Sequence, residues 1–127
     1  MNVFVFGNPD VVGDSLPIRI LPSLQKEFPN LSFQVLDPNE EWDIPEDLVI
    51  IDTVHGINEV TVFTDLDRFS ASPNVSLHDF DAYTNLRLLQ KLGKLKKITI
   101  IGVPQSGNEK EVPFAITEII NGLYNVF

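Results

Sequence analysis

The stretch Leu48-Val49-Ile50-Ile51-Asp52 decides the fold of this chain. A strand with one wet face alternates apolar and polar residues; four consecutive branched apolar side chains instead predict a strand over Asp47–Asp52 covered on both faces. Strands of that kind belong to mostly parallel sheets with helices above and below. Upstream, Met1–Phe6 is uncharged and rich in Val and Phe, and predicts a second buried strand. Downstream, Lys97–Val103 predicts a third. Leu31–Leu36 adds a fourth strand, ended by Asp37-Pro38-Asn39-Glu40. Glu59–Thr64 alternates, and only the residues from Thr53 to Asn58 separate it from Asp52. That gap is too short for a crossover helix, so this strand should pair antiparallel at a sheet edge.

Helical patterns fill the spaces between strands. Over Leu16–Phe28, the residues Leu16, Ile20, Leu21 and Leu24 keep helical spacing. Ser15 is placed to cap this helix, Pro17 is tolerated in its first turn, and Pro22 should kink it. Glu40–Asp47 reads as a short acidic connection and Asp65–Leu77 as a polar loop. Asp79–Leu92 predicts a helix with Tyr83, Leu86 and Leu89 on one side, stopped by Gly93. After a Pro104–Glu111 loop, Val112–Tyr124 predicts a closing helix carrying Phe114, Ile116, Ile119, Ile120 and Leu123. The expected architecture is one domain over residues 1–127, a three-layer α/β/α sandwich around a mostly parallel five-stranded sheet with one antiparallel edge strand.

Composition narrows the chemistry. The chain has no cysteine, which excludes disulfides, thiolate metal sites and cysteine nucleophiles. Nine basic against eighteen acidic residues leave a net charge of −9, which argues against phosphate-backbone recognition. The basic cluster Lys91, Lys94, Lys96 and Lys97 falls at a helix end, where positive charge is favourable in its own right. No apolar run is long enough to span a bilayer, and the N-terminus lacks a signal-peptide pattern, so a cytoplasmic protein is expected.

Three polar residues stand out because strands of an open α/β sheet deliver side chains to one crevice beyond their C-terminal ends. Asp14 closes the loop Gly7-Asn8-Pro9 to Gly13 after the first strand, and Asp52 ends the central strand. His78 stands in a polar loop just ahead of a helix. Two carboxylates and an imidazole suffice to hold a divalent cation and leave coordination positions open. Asp37, after another strand, is placed to support them, and Gly7 and Asn8 to shape the first loop. His55 is a rival ligand, but Gly56 beside it favours an exposed turn. Asp79 and Asp81 suit a helix N-terminus.

In order along the chain, these motifs resemble the maturation endopeptidases of nickel–iron hydrogenases. The likeness rests on Val3–Phe6 with Gly7-Asn8 and Asp14, on Leu48–Ile51 with Asp52, on Ser76-Leu77-His78, and on Ile98–Ile101 with Gly102-Val103-Pro104. It departs from the family at Gly13, where a second acidic residue is usual, and at Ser15 and Pro17, where a Gly-rich helix start is usual. The resemblance implies that Asp14, Asp52 and His78 bind nickel and carry the proteolysis, with Asp37 nearby. It also implies that nickel arrives in the substrate, with another divalent cation able to substitute. The partner so implied is a hydrogenase large-subunit precursor, processed at its C-terminal extension by a monomeric protease.

Two alternatives remain open at this level. A non-catalytic binding relative would share the scaffold. A phospho-receiver domain would also place carboxylates after its first and third strands, but it needs a Lys after the last strand, where Pro104-Gln105-Ser106 stands. No Gly-x-Ser-x-Gly elbow and no dinucleotide-type glycine spacing occur.

Overall fold

The computed structural model describes residues 2–8, 10–37, 42–70 and 77–124, apart from the side chains of residues 12, 68, 70 and 77–81. Five strands form one sheet: β1 (Asn2–Phe6), β2 (Ser32–Leu36), β3 (Asp47–Val54), β4 (Thr61–Phe63) and β5 (Lys97–Pro104). Their spatial order is β2-β1-β3-β5-β4. All neighbours run parallel except β4, which pairs antiparallel with β5 at the edge, consistent with the short connection over residues 55–60.

Side-chain parity along the strands builds two cores. Odd-numbered Val3, Val5, Val49, Ile51, Ile101 and Val103 face one side. There they meet α1 (Leu16–Arg19) through Leu16, α2 (Leu21–Glu27) through Leu21 and Leu24, and α5 (Glu111–Tyr124) through Val112, Ile116 and Ile120. Even-numbered Phe4, Phe6, Leu48, Ile50, Ile98 and Ile100 face the other side. They meet α3 (Leu66–Ser70) through Leu66 and Phe69, and α4 (Leu77–Lys91) through Tyr83 and Leu86. The unbroken apolar run of β3 is thus explained: successive side chains feed opposite cores.

The departures from expectation are local. The helix expected over Leu16–Phe28 is two short helices hinged at Ile20, because Pro22 at the second position of α2 cannot extend the hydrogen-bond ladder of α1. Ser15 provides no side-chain cap; its hydroxyl accepts from Arg19 Nε at 3.1 Å instead. Part of the expected Asp65–Leu77 loop is helical, since Leu66 and Phe69 sit three apart and both bury into the second core. Residues 71–76 of that loop, including Ser76, lie outside the described residues, as do residues 38–40 of the Asp37–Glu40 break and residue 41 after it. β3 continues two residues beyond Asp52, and α4 begins at Leu77 rather than Asp79. Gly93 ends α4 at a φ of 78°, the left-handed stop its position predicts. Phe114, counted with the apolar residues of the closing helix, is 66% exposed and faces away from the core.

Candidate functional site at the sheet crevice

The strand order reverses direction between β1 and β3: the chain leaves β1 leftward to β2, then returns to lay β3 on the other side. The helices that follow β1 pack on one face and those that follow β3 on the opposite face. Such a reversal opens a crevice beyond the strand C-termini, the usual ligand site of an open α/β sheet. Continuing the register Phe4↔Ile50 and Val5↔Ile51 sets Phe6, where β1 stops, level with Asp52. β3 and β5 continue past that level, with Asp52 paired to Gly102 and Val54 to Pro104.

Asp52 is therefore inside a strand, not beyond its end, and is only 1% exposed. Its even number turns the carboxylate toward α4. Oδ2 accepts a hydrogen bond from the Tyr83 hydroxyl at 2.7 Å, and Oδ1 accepts from the Thr53 amide at 2.8 Å. A buried carboxylate needs such donors. Aromatic rings surround the pair: Tyr83 meets Phe6 at 6.0 Å and Phe69 at 4.8 Å between ring centroids, and Trp42 lies 4.9 Å from Phe4 and 6.1 Å from Phe6. Thr53, the next residue, points into the other core, where its buried hydroxyl finds no hydrogen-bond partner among the described residues.

Asp14 ends a short 3-10 turn (Val12–Asp14) in the loop leaving β1 and is half-buried. The loop is closed on itself. The Asn8 amide donates to the Asp14 carbonyl at 2.9 Å, the Asp14 amide donates to the Val11 carbonyl at 3.0 Å, and Asn8 Oδ1 accepts from the Asp10 amide at 3.0 Å. Gly7 permits this closure: a Cβ there would lie 3.1 Å from Ile18 Cγ1 and 3.2 Å from the Asp14 carbonyl oxygen. The Gln105 side chain reaches the same loop from the end of β5, its Nε2 being 3.1 Å from where a Cβ on Gly13 would lie.

His78 is the second residue of α4, not a residue of the preceding loop, and its side chain lies outside the described residues. The topology still fixes the end of the molecule at which α4 begins. Just past α4, the Lys96 and Lys97 amides donate to the Glu46 carbonyl, at the N-terminal edge of β3. α4 thus runs down the sheet toward that edge, and its first turn stands at the crevice end. Asp37 follows β2 directly and is exposed at the same edge. His55 is exposed in a turn where Gly56 takes a φ of 80°. Among the described residues no group of three or more His, Asp or Glu side chains stands close enough to share a metal ion. The donor types nevertheless suit one, since carboxylate oxygens and imidazole nitrogen are good ligands for first-row divalent ions.

A cavity of about 470 Å³ lies at the opposite, N-terminal edge of the sheet, among Asn2, Asp47, Leu48, Lys97, Thr99 and Tyr124. It is far from the carboxylates and carries no pairing of nucleophile and base. Asp14 and Asp52 lie toward the crevice end of the sheet, not at this cavity. Tyr83 is the residue of the site that the sequence does not announce. It reads as core in the helix, and only the shared parity of Asp52 with Leu48 and Ile50 points the carboxylate at it.

No protein-family model and no curated protein matches the sequence. Two solved structures do match the fold over nearly the whole chain. One is the nickel–iron hydrogenase maturation protease HybD from Thermococcus kodakarensis, 22% identical, with a TM-score of 0.64 over 97% of this chain and 99% of that one. The other is the hydrogenase maturating endopeptidase HybD from E. coli, 17% identical, with a TM-score of 0.65 over 98% of this chain and 93% of that one. The five-stranded α/β sandwich described above is thus the fold of these maturation proteases.

Proposed function

We propose that this chain is an endopeptidase that trims the C-terminal extension of a hydrogenase large-subunit precursor carrying nickel. The observation that supports it most is the end-to-end fold likeness to two hydrogenase maturation proteases. The position of the polar residues adds to it, with Asp52 and Asp14 flanking the β1/β3 reversal and His78 in the first turn of α4. In this reading nickel is part of the substrate, and Asp14, Asp52 and His78 would hold it; another divalent cation could take its place. A divalent ion so held supplies Lewis acidity to the scissile carbonyl. The chain's own task is to present the two carboxylates and the imidazole, with the closed Gly7–Asp14 loop bordering the crevice and Asp37 near its rim. A monomer acting in the cytoplasm fits this reading. No helix among the described residues is long and apolar enough to cross a membrane.

The test is processing of a precursor large subunit in nickel-loaded and nickel-free forms, followed by the mass of its C-terminal tail. Loss of the tail from the loaded form alone is expected, and Asp14→Ala, Asp52→Asn and His78→Ala should each abolish it. Equal trimming of both forms refutes metal gating, and trimming of neither points to a non-catalytic relative on the same scaffold.

A further inference from the structure

Among the described residues β1 is the strand that β2 pairs with, so β2 is an edge of the sheet. One row of its backbone N–H and C=O groups therefore faces away from β1 and can take a further strand. Natural edges are blunted against such pairing by charge, proline, a bulge or shortness. β2 carries none of these. No charged residue stands between Glu27 and Asp37, and Ser32–Leu36 contains no proline. Its pairing runs residue for residue from Asn2↔Ser32 to Phe6↔Leu36, without a bulge. The opposite edge differs: β4 spans only Thr61–Phe63, and Glu59 and Asp65 flank it.

The open edge also leads to the crevice. Leu36 stands level with Phe6, and by the continued register Phe6 stands level with Asp52. β2 thus ends in the row of the sheet that holds the buried carboxylate. A strand added beside β2 would lie three strand spacings from β3, about 14 Å, which four extended residues cover at about 3.3 Å each. The side chains of β2 indicate what such a strand would carry. Phe33 and Val35 stand level with Val3 and Val5, on the face of the first core. Phe33 is half-buried and Val35 is 46% exposed. Cross-strand neighbours on that face would be apolar, with β-branched or aromatic side chains favoured.

We propose that the β2 edge is the docking strand for the substrate. An uncharged, extended segment of the precursor's C-terminal region adds beside Ser32–Leu36, sets apolar side chains at alternate positions next to Phe33 and Val35, and passes from Leu36 into the crevice. This rests on the protease reading above and adds how the substrate is held. Strand addition draws affinity from main-chain bonds and specificity from alternate side chains. A tail beyond a folded domain has the freedom to extend in this way. A second copy of the chain is a poorer occupant, because each copy carries a net charge of −9 and pairing two β2 edges would bring no peptide to the crevice.

The test is hydrogen exchange of the full chain, read by mass spectrometry over Ser32–Leu36, with and without nickel-free precursor. In the reading above that form is bound without being cut. The precursor is expected to slow exchange across β2, and a large subunit lacking the extension is not. Unchanged exchange over β2 in the presence of precursor overturns the proposal, whether or not other segments slow. Equal slowing by the trimmed subunit overturns it too. Slowing that grows with the chain's own concentration assigns the edge to a second copy and likewise overturns it. Proline substitution gives a second measurement. Successive N–H groups of a strand point to opposite sides, so of Gln34→Pro and Val35→Pro one loses a bond to β1 and the other only an outward donor. The variant with the higher melting temperature is the outward one. It should bind nickel-free precursor about 10-fold more weakly by calorimetry, the effect of one lost hydrogen bond whose acceptor stays unpaired. Affinity equal to wild type overturns the proposal. The two readings fail separately. If β2 is protected and nickel-loaded precursor keeps its tail, the docking strand stands and the protease falls. If the tail is lost and β2 exchanges as before, the docking strand falls and the protease stands.

Discussion

At the scale of single residues, β3 places two consecutive polar side chains on opposite faces at the level of the crevice. Asp52 accepts from the Tyr83 hydroxyl and the Thr53 amide, whereas Thr53, 4% exposed, buries a hydroxyl with no hydrogen-bond partner among the described residues, in the apolar core beneath α1 and α5. An unpartnered buried hydroxyl costs about 1–3 kcal/mol in proteins. Thr53→Val keeps the shape and removes that cost. Chemical denaturation should show the variant about 1–2 kcal/mol more stable than wild type. A loss of stability would mean that the hydroxyl has a partner in solution. The neighbouring position responds in the opposite sense. Asp52→Ala removes the carboxylate that accepts from the Tyr83 hydroxyl and the Thr53 amide, and should cost about 1–3 kcal/mol by the same measurement. Asp14, half-buried on a loop held by backbone bonds, should tolerate Ala far better.

At the scale of elements, the sheet was legible and the connections less so. The apolar run 48–51, the alternation of 59–64 and the helical spacing around Tyr83 each report burial directly, and burial is what a sheet or helix face imposes on sequence. Connections obey short-range chemistry that pattern does not reveal. Asn108 is an example from within the expected Pro104–Glu111 loop. Its Oδ1 accepts from the Lys110 amide at 2.7 Å and the Glu111 amide at 3.2 Å, satisfying the first turn of α5. Asn108→Ala should cost about 1 kcal/mol, the usual value of a helix cap, measured as a shift in the urea midpoint at unchanged slope. Gly102 tests the edge strand in the same way. A Cβ there would lie 2.8 Å from Phe63 Cε2 and 2.9 Å from Val54 Cγ2, so Gly102→Ala must push β4 off β5 or force both side chains aside. Overpacking of this kind costs about 1–3 kcal/mol, and hydrogen exchange should show faster opening of Thr61–Phe63 than in wild type. The candidate site follows the same division. The places of Asp14 after β1 and of His78 in the first turn of α4 follow from the element pattern, whereas the hydrogen bond from Tyr83 to Asp52 does not, because a tyrosine on an apolar helix face reads as core until the facing residue is known.

At the scale of the whole molecule, the N-terminal end of the sheet, opposite the crevice, carries a group that makes stability depend on pH in the alkaline range. Tyr124 closes α5 there, partly buried against the first core and lining the cavity with Leu48, Val49 and Thr99. Burial raises its phenol above the ordinary value of 10.0, because the phenolate is poorly solvated where the neutral ring packs well. The unfolded chain therefore gives up this proton at a lower pH than the folded one. Below pH 10 both states hold it and its contribution is intact. As the pH rises through 10 toward the folded value, the unfolded state is favoured and stability falls. Tyr124→Phe cannot ionise and should lose less stability than wild type between pH 9 and the alkaline limit of the experiment, while matching it more closely at neutral pH. Urea midpoints of the two proteins across that range measure the difference directly. Parallel curves would show that Tyr124 is as well solvated in the folded protein as in the unfolded chain.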